Sequence, residues 1–140
     1  MANSEMEYID RRRLTALTPK QWASCVVSYN TTYKKPTLSI NSTGGGVIFY
    51  VPWNVSDVYF KKNAIYCQYG LCENSASMPS IINNGTGRLG YKTDTNTDGY
   101  IHINMSDSTI NLGIAGAYLF IGGYTGLVIT DLYAVVKEPD

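Results

Sequence analysis

The sequence predicts an all-β protein: a jelly-roll-like antiparallel β-sandwich with a short N-terminal arm or helix. Three observations carry this. After Cys25 the chain breaks into short apolar runs punctuated by turn residues at roughly eight- to twelve-residue spacing. The composition suits strands and turns, with 12 Tyr and 13 Gly against only 16% charged residues. Alternation is clearest in Ile101-His102-Ile103-Asn104-Met105, which sends Ile101, Ile103 and Met105 to one face and His102 and Asn104 to the other.

The elements follow in chain order, in an arm over residues 1–24 and a sandwich domain over 25–140. Ser4 and Glu7 have capping-box spacing, and acids precede Arg11-Arg12-Arg13, so a short helix is expected over about residues 5–16. Thr18-Pro19-Lys20-Gln21 reads as a second helix start. Strands are expected at 25–30, 37–41, 47–51, 58–61, 64–68, 88–92, 100–105, 109–114, 117–121 and 127–136. Ser106-Asp107-Ser108 makes a natural hairpin loop between two of them. The run 127–136 is apolar on both faces, as expected of a central strand or one buried against another subunit. Residues 74–87 are rich in Ser, Asn and Gly and predict a long exposed loop. Gly44-Gly45-Gly46 precedes a strand and lacks a following GK[ST], so it is a turn and not a phosphate loop.

Composition removes several functional classes. At 140 residues the chain is about one domain and can bury a core without staples. Lys and Arg total 11, as do Asp and Glu, so no broad footprint for nucleic acid exists. No apolar run approaches membrane-spanning length, so no membrane insertion is expected. Residues 1–13 have no apolar core like that of a signal peptide, so the ordinary secretory route is not expected. The sequons at Asn30, Asn41, Asn54, Asn84 and Asn104 should then be bare. With only three cysteines and one histidine, and Cys25 far upstream of the others, no zinc site is expected, and buried thiols are expected at Cys25, Cys67 and Cys72.

Chemistry-bearing residues are few. His102 reads as an ordinary strand histidine, and Asp57, Asp107 and Asp131 as structural or turn residues, not a glycosidase pair. No catalytic residue and no enzymatic activity are expected. Asp94-Thr95-Asn96-Thr97-Asp98-Gly99-Tyr100-Ile101 resembles the start of the calcium loop of EF-hand and dockerin families. Its twelfth position falls on Met105, so the simple reading is a polar hairpin turn. The alternative is a structural Ca²⁺ held by Asp94, Asn96, Asp98 and the Tyr100 carbonyl; no other cofactor is expected. Saccharides present C–H faces that stack on aromatic rings and hydroxyls that pair with Asn. Tyr50, Trp53, Asn54, Tyr59 and Tyr124, close to predicted turns, are the candidate glycan-binding set.

The polar arm, the Asn/Gly/Thr/Tyr-rich β body and the final strand, Thr125 to Val136, resemble a bacteriophage virion appendage of the head-fibre, tail-fibre or receptor-binding knob type. The resemblance implies a structural, receptor-binding homotrimer in the virion, assembled in the bacterial host cytoplasm. It also implies docking to other virion proteins through the arm and contact with a host-surface glycan. The same final strand resembles those of galactose-binding-like sandwiches, which implies the alternative of a monomeric carbohydrate-binding module.

Overall fold

A computed structural model describes residues 13–29, 36–95, 99–110 and 118–137. Among the described residues eleven strands form two antiparallel sheets: β1 Leu14–Thr15, β2 Thr18–Ala23, β3 Cys25–Tyr29, β4 Pro36–Ile40, β5 Gly45–Tyr50, β6 Val55–Lys62, β7 Cys67–Cys72, β8 Arg88–Asp94, β9 Gly99–Asn104, β10 Tyr118–Gly123 and β11 Val128–Val136. One sheet runs β3-β4-β11-β6-β9, with β1 also on β11; the other runs β2-β5-β10-β7-β8. Leaving aside β1 to β3, the neighbours β4-β11-β6-β9 and β5-β10-β7-β8 are the strand order of a jelly roll. The predicted fold class is therefore the observed one.

Strand alternation explains the core. Leu38, Ile40, Val58, Phe60, Ile101, Ile103 and Ile129 point inward from the first sheet and meet Val47, Phe49, Leu71, Leu119 and Ile121 from the second. Each such side chain contributes roughly 1.5–3 kcal/mol by leaving water. Phe60 and Tyr69 meet edge to face across the layers, with ring centroids 6.0 Å apart.

The second sheet buries its outer face as well. Residues 74–87, expected from sequence to be an exposed loop, instead lie across it as a strap. Ala76, Met78, Ile81 and Ile82 are buried against Ile48, Cys72 and Phe120. Gln21 Nε2 donates to the Asn74 and Ala76 carbonyls at 2.6 and 2.7 Å. Arg88 donates to the Ile81 and Ile82 carbonyls at 2.8 and 3.0 Å and to Gln68 Oε1 at 2.6 Å. Gly46 and Gly122 make room beneath the strap: a Cβ on Gly46 would lie 2.6 Å from Met78 Cε.

Other expectations need correction. Thr18-Pro19-Lys20-Gln21 opens β2, not a helical turn, and Leu14 and Thr15 already pair with Val135 and Ala134. Residues 14–23 thus belong to the sheets, and the proposed arm boundary at residue 24 falls inside the sandwich. The helix expected over 5–16 lies outside the described residues except at its end, where β1 stands. The strand expected at 64–68 is β7, shifted to Cys67–Cys72. Asp94 to Gly99 is no hairpin, because β8 and β9 belong to different sheets. Ser108, Thr109 and Ile110 form a turn, not the start of a strand; 111–114 lie outside the described residues.

Candidate functional site

Two ends of the sandwich can be told apart from the registers. Tyr50 closes β5 beside Thr18 of β2 and Tyr118 of β10. The chain then turns through 51–54 into β6, whose first residue, Val55, pairs with Val136 near the end of β11. Thr18, Tyr50, Trp53, Tyr118 and Lys137 therefore gather at one end. Tyr66, Tyr124, Asn63 and Asp94 gather at the other, about 20 Å away by strand length.

The first end presents aromatics to solvent on a fixed support. Val51 and Val55 are buried at 2% and 4% exposure and pin both sides of the β5–β6 turn. The Val55 amide donates to the Pro52 carbonyl at 3.1 Å, and the Lys137 amide donates to the Asn54 carbonyl at 2.7 Å. Trp53 at the tip is left 75% exposed, more than any other large hydrophobic side chain among the described residues. The Lys137 ammonium sits 5.6 Å from the indole. On the neighbouring outer face Tyr50 and Tyr118 meet edge to face at 5.7 Å, and the Lys20 ammonium sits 5.8 Å from the Tyr50 ring. Tyr50 is 36% exposed. Of the five aromatic and amide candidates, the structure brings Tyr50, Trp53 and Asn54 to this end. It also adds Tyr118, Lys20 and Lys137. Nothing in the sequence marked the lysines, since strand pairing alone carries Lys137 to the Asn54 turn.

The remaining two candidates go elsewhere. Tyr59 is not a rim residue but 6% exposed on the outer face of the first sheet. It stacks on His102 at 4.5 Å and 3° and on Tyr133 at 5.3 Å and 11°, a row set by the register Tyr133↔Tyr59↔His102 across three strands. Tyr124 is 47% exposed but at the opposite end, in ring contact with Tyr66 at 4.6 Å.

The three aspartates weighed as hydrolytic groups have separate partners. Asp57 meets His102 Nε2 at 2.6 Å, Asp107 pairs with Lys92 at 2.5 Å, and Asp131 accepts from the Tyr100 hydroxyl at 3.2 Å. Lys92 and the Thr109 donors hold the Asp107 carboxyl down to about 2. Burial, and then the nearby Asp131 charge, push the Tyr100 phenol up. Asp131 takes a left-handed conformation, φ 53°, at the register shift between Thr130 and Tyr133, where β11 bulges.

For the calcium reading, Asn96 and Asp98 lie outside the described residues. The Asp94 carboxylate faces the Lys62 ammonium at 2.9 Å. The Lys62 side chain has no exposure, and its ammonium also donates to the Ile65 carbonyl at 2.8 Å. Asp94 thus already carries a cationic partner, and among the described residues no group of three His, Cys, Asp or Glu could hold a metal ion. The three cysteines are free and buried. Cys67 lies between the sheets and Cys72 beneath the strap, on opposite faces of β7, and burial pushes both thiols up to about 12.

No protein-family model and no curated protein sequence matches this chain. Among solved structures, a family 29 carbohydrate-binding module is similar at a TM-score of 0.47 and 12% identity, over 88% of this chain and 80% of that one. A variant of a family 29 module complexed with cellulohexaose is similar at 0.47 and 12%, over 88% and 82%. The C-terminal family 22 carbohydrate-binding module of Clostridium thermocellum Xyn10B is similar at 0.44 and 15%, over 91% and 96%.

Proposed function

We propose that this protein is a non-enzymatic glycan-binding β-sandwich that engages saccharide at the end carrying Trp53, Tyr50 and Asn54. The supporting observation is the 75% exposed indole on a turn held by two backbone hydrogen bonds. A turn held in this way loses little backbone freedom when a pyranose stacks on its indole, which leaves more of the stacking energy as affinity. Asn54 follows Trp53 in the same turn and supplies an amide for hydroxyl pairing, and Tyr50 offers a second exposed ring at this end.

A single site of this kind binds weakly, and repetition raises avidity by orders of magnitude. The trimeric virion appendage expected from sequence is one setting that would supply repetition, and a monomeric module in a larger assembly is the other. Light scattering on a sizing column separates them, with a stable trimer expected for the appendage and a monomer for the module.

The test of binding is a glycan array probed with the full chain and with Trp53→Ala. The wild type should bind a subset of glycans, and the variant should lose at least ~10-fold in affinity, on the scale of one aromatic contact, with unchanged circular dichroism. Equal binding by a folded Trp53→Ala variant would remove this end as the site.

A further inference from the structure

The placement of exposed charge at this end bears on which glycan would fit. The whole chain is neutral, with 11 basic and 11 acidic residues. Among the described residues the Trp53 end carries Arg13, Lys20 and Lys137 and, of carboxylates, Glu73 next to Cys72, Asp57 opposite Val135 and Asp107 just past Asn104. Arg13 is on this rim because its Nε donates to the Val136 carbonyl at 3.0 Å. The described aspartates each have a partner: Asp57 with His102, Asp94 with Lys62, Asp107 with Lys92 and Asp131 with Tyr100. Lys20 and Lys137 are exposed and pair with no carboxylate among the described residues.

Their placement is specific. Each ammonium stands within 6 Å of one exposed ring, Lys20 at 5.8 Å from Tyr50 and Lys137 at 5.6 Å from Trp53. A pyranose stacked on either ring carries its exocyclic substituent out past the ring edge, within reach of that ammonium. A neutral hydroxymethyl group there gains an ordinary hydrogen bond. A carboxylate or phosphate gains a charge-assisted one, about twice as strong, at a site open enough for salt to screen it.

Building on the proposed glycan-binding function, we propose that the ligand is an anionic saccharide, with sugar rings on Trp53 and Tyr50 and acidic groups at the ammoniums beside them, Lys137 and Lys20. The acidic group is a hexuronate carboxylate or a sugar phosphodiester, since both present oxygens to an ammonium in the same way.

The experiment is calorimetric titration of the full chain with polygalacturonate, its fully methyl-esterified form, a glycerol-phosphate-substituted polysaccharide and a neutral glucan, at about 20 and about 300 mM salt. At least one acidic polymer should bind ~10-fold or more tightly than the esterified and neutral ones, with the advantage shrinking at high salt. Whichever acidic polymer leads identifies the acidic group. The double variant Lys20→Gln/Lys137→Gln should bind acidic and esterified polymers alike, while Trp53→Ala should lose all of them. Equal affinity of wild type for acidic and esterified forms would overturn the anionic preference and leave glycan binding standing. Binding to none of the polymers here and to no glycan on the array would overturn both. Acidic-polymer binding that survives Trp53→Ala would reduce the effect to general charge attraction and also overturn the proposal.

Discussion

The two ends of the sandwich are built from similar residues and put them to opposite uses. At the far end Tyr124 has Tyr66 against its ring, and Lys62 is folded into an ion pair with Asp94 and a hydrogen bond to the Ile65 carbonyl. At the near end Trp53 has only an ammonium at its face, and Lys20 and Lys137 stand in solvent. The backbone at both ends is equally well tied, by the Asn63 side chain to Gly126 and Val128 at one and by Lys137 to Asn54 at the other. The difference therefore lies in side-chain partners, not in order. Groups that satisfy one another contribute to stability, while groups held in place and left open contribute to recognition.

The largest effect should come from breaking the closed end. Asp94→Ala leaves the Lys62 ammonium inside the protein without its counter-charge, and should cost about 3 kcal/mol in urea unfolding. The double variant Lys62→Met/Asp94→Asn should recover most of that, because it removes the buried charge along with its partner. Glycan binding at the open end should be unaffected in whichever variant stays folded.

Alkaline pH acts on buried groups behind both ends. Burial raises Cys67 and Cys72 from 9.0 to about 12, Cys25 to about 11 and Tyr69 from 10.0 to about 12. These groups keep their protons longer in the folded state than in the unfolded one. Their stabilisation is complete below pH 9 and is lost as pH rises from there toward 12. The loss should run at about 1.4 kcal/mol per pH unit for each thiol protonated only when folded. The urea midpoint measured from neutral pH upward should stay level and then fall, and replacing Cys67 with Ala should flatten that fall.

The smallest effects separate the aromatics. Tyr124→Ala should cost about 1 kcal/mol of stability through its contact with Tyr66 and leave glycan affinity unchanged. Trp53→Ala should move stability by less than about 0.5 kcal/mol while removing binding. Reversal of these two outcomes would mean that the recognition surface belongs to the Tyr124 end.

Much of the architecture was legible because alternation survives in the strands with one polar face, such as Ile101 to Met105. It failed where both faces are covered. Cys67-Gln68-Tyr69-Gly70-Leu71-Cys72 is buried throughout, between the core and the strap, so it lacks the period-two signal that would have located β7. Ala76, Met78, Ile81 and Ile82 were hidden among Ser and Asn, and only the glycine floor at 46 and 122 makes sense of them. Thr18-Pro19 imitates a helix start, yet Pro19 is tolerated because β2 is an edge strand with a register shift beside it. Of the site, Trp53 and Asn54 were readable as turn residues. Tyr59 was misread because the neighbours that bury it come from β9 and β11, far away in sequence.

β1 is only two residues long, and it lies antiparallel to β11 with Leu14 opposite Val135. The described chain therefore enters at Arg13 and leaves at Lys137 side by side, at the end that carries Trp53. Tension applied across these two points would load the β1–β11 hydrogen bonds one after another, as in a zipper, not all together in shear. β1 would peel away at low force, while β2 and the eight-strand jelly roll behind it keep their pairing. Mechanically, the described chain has a weak first strand next to the proposed glycan-binding end and a stiff body beyond it.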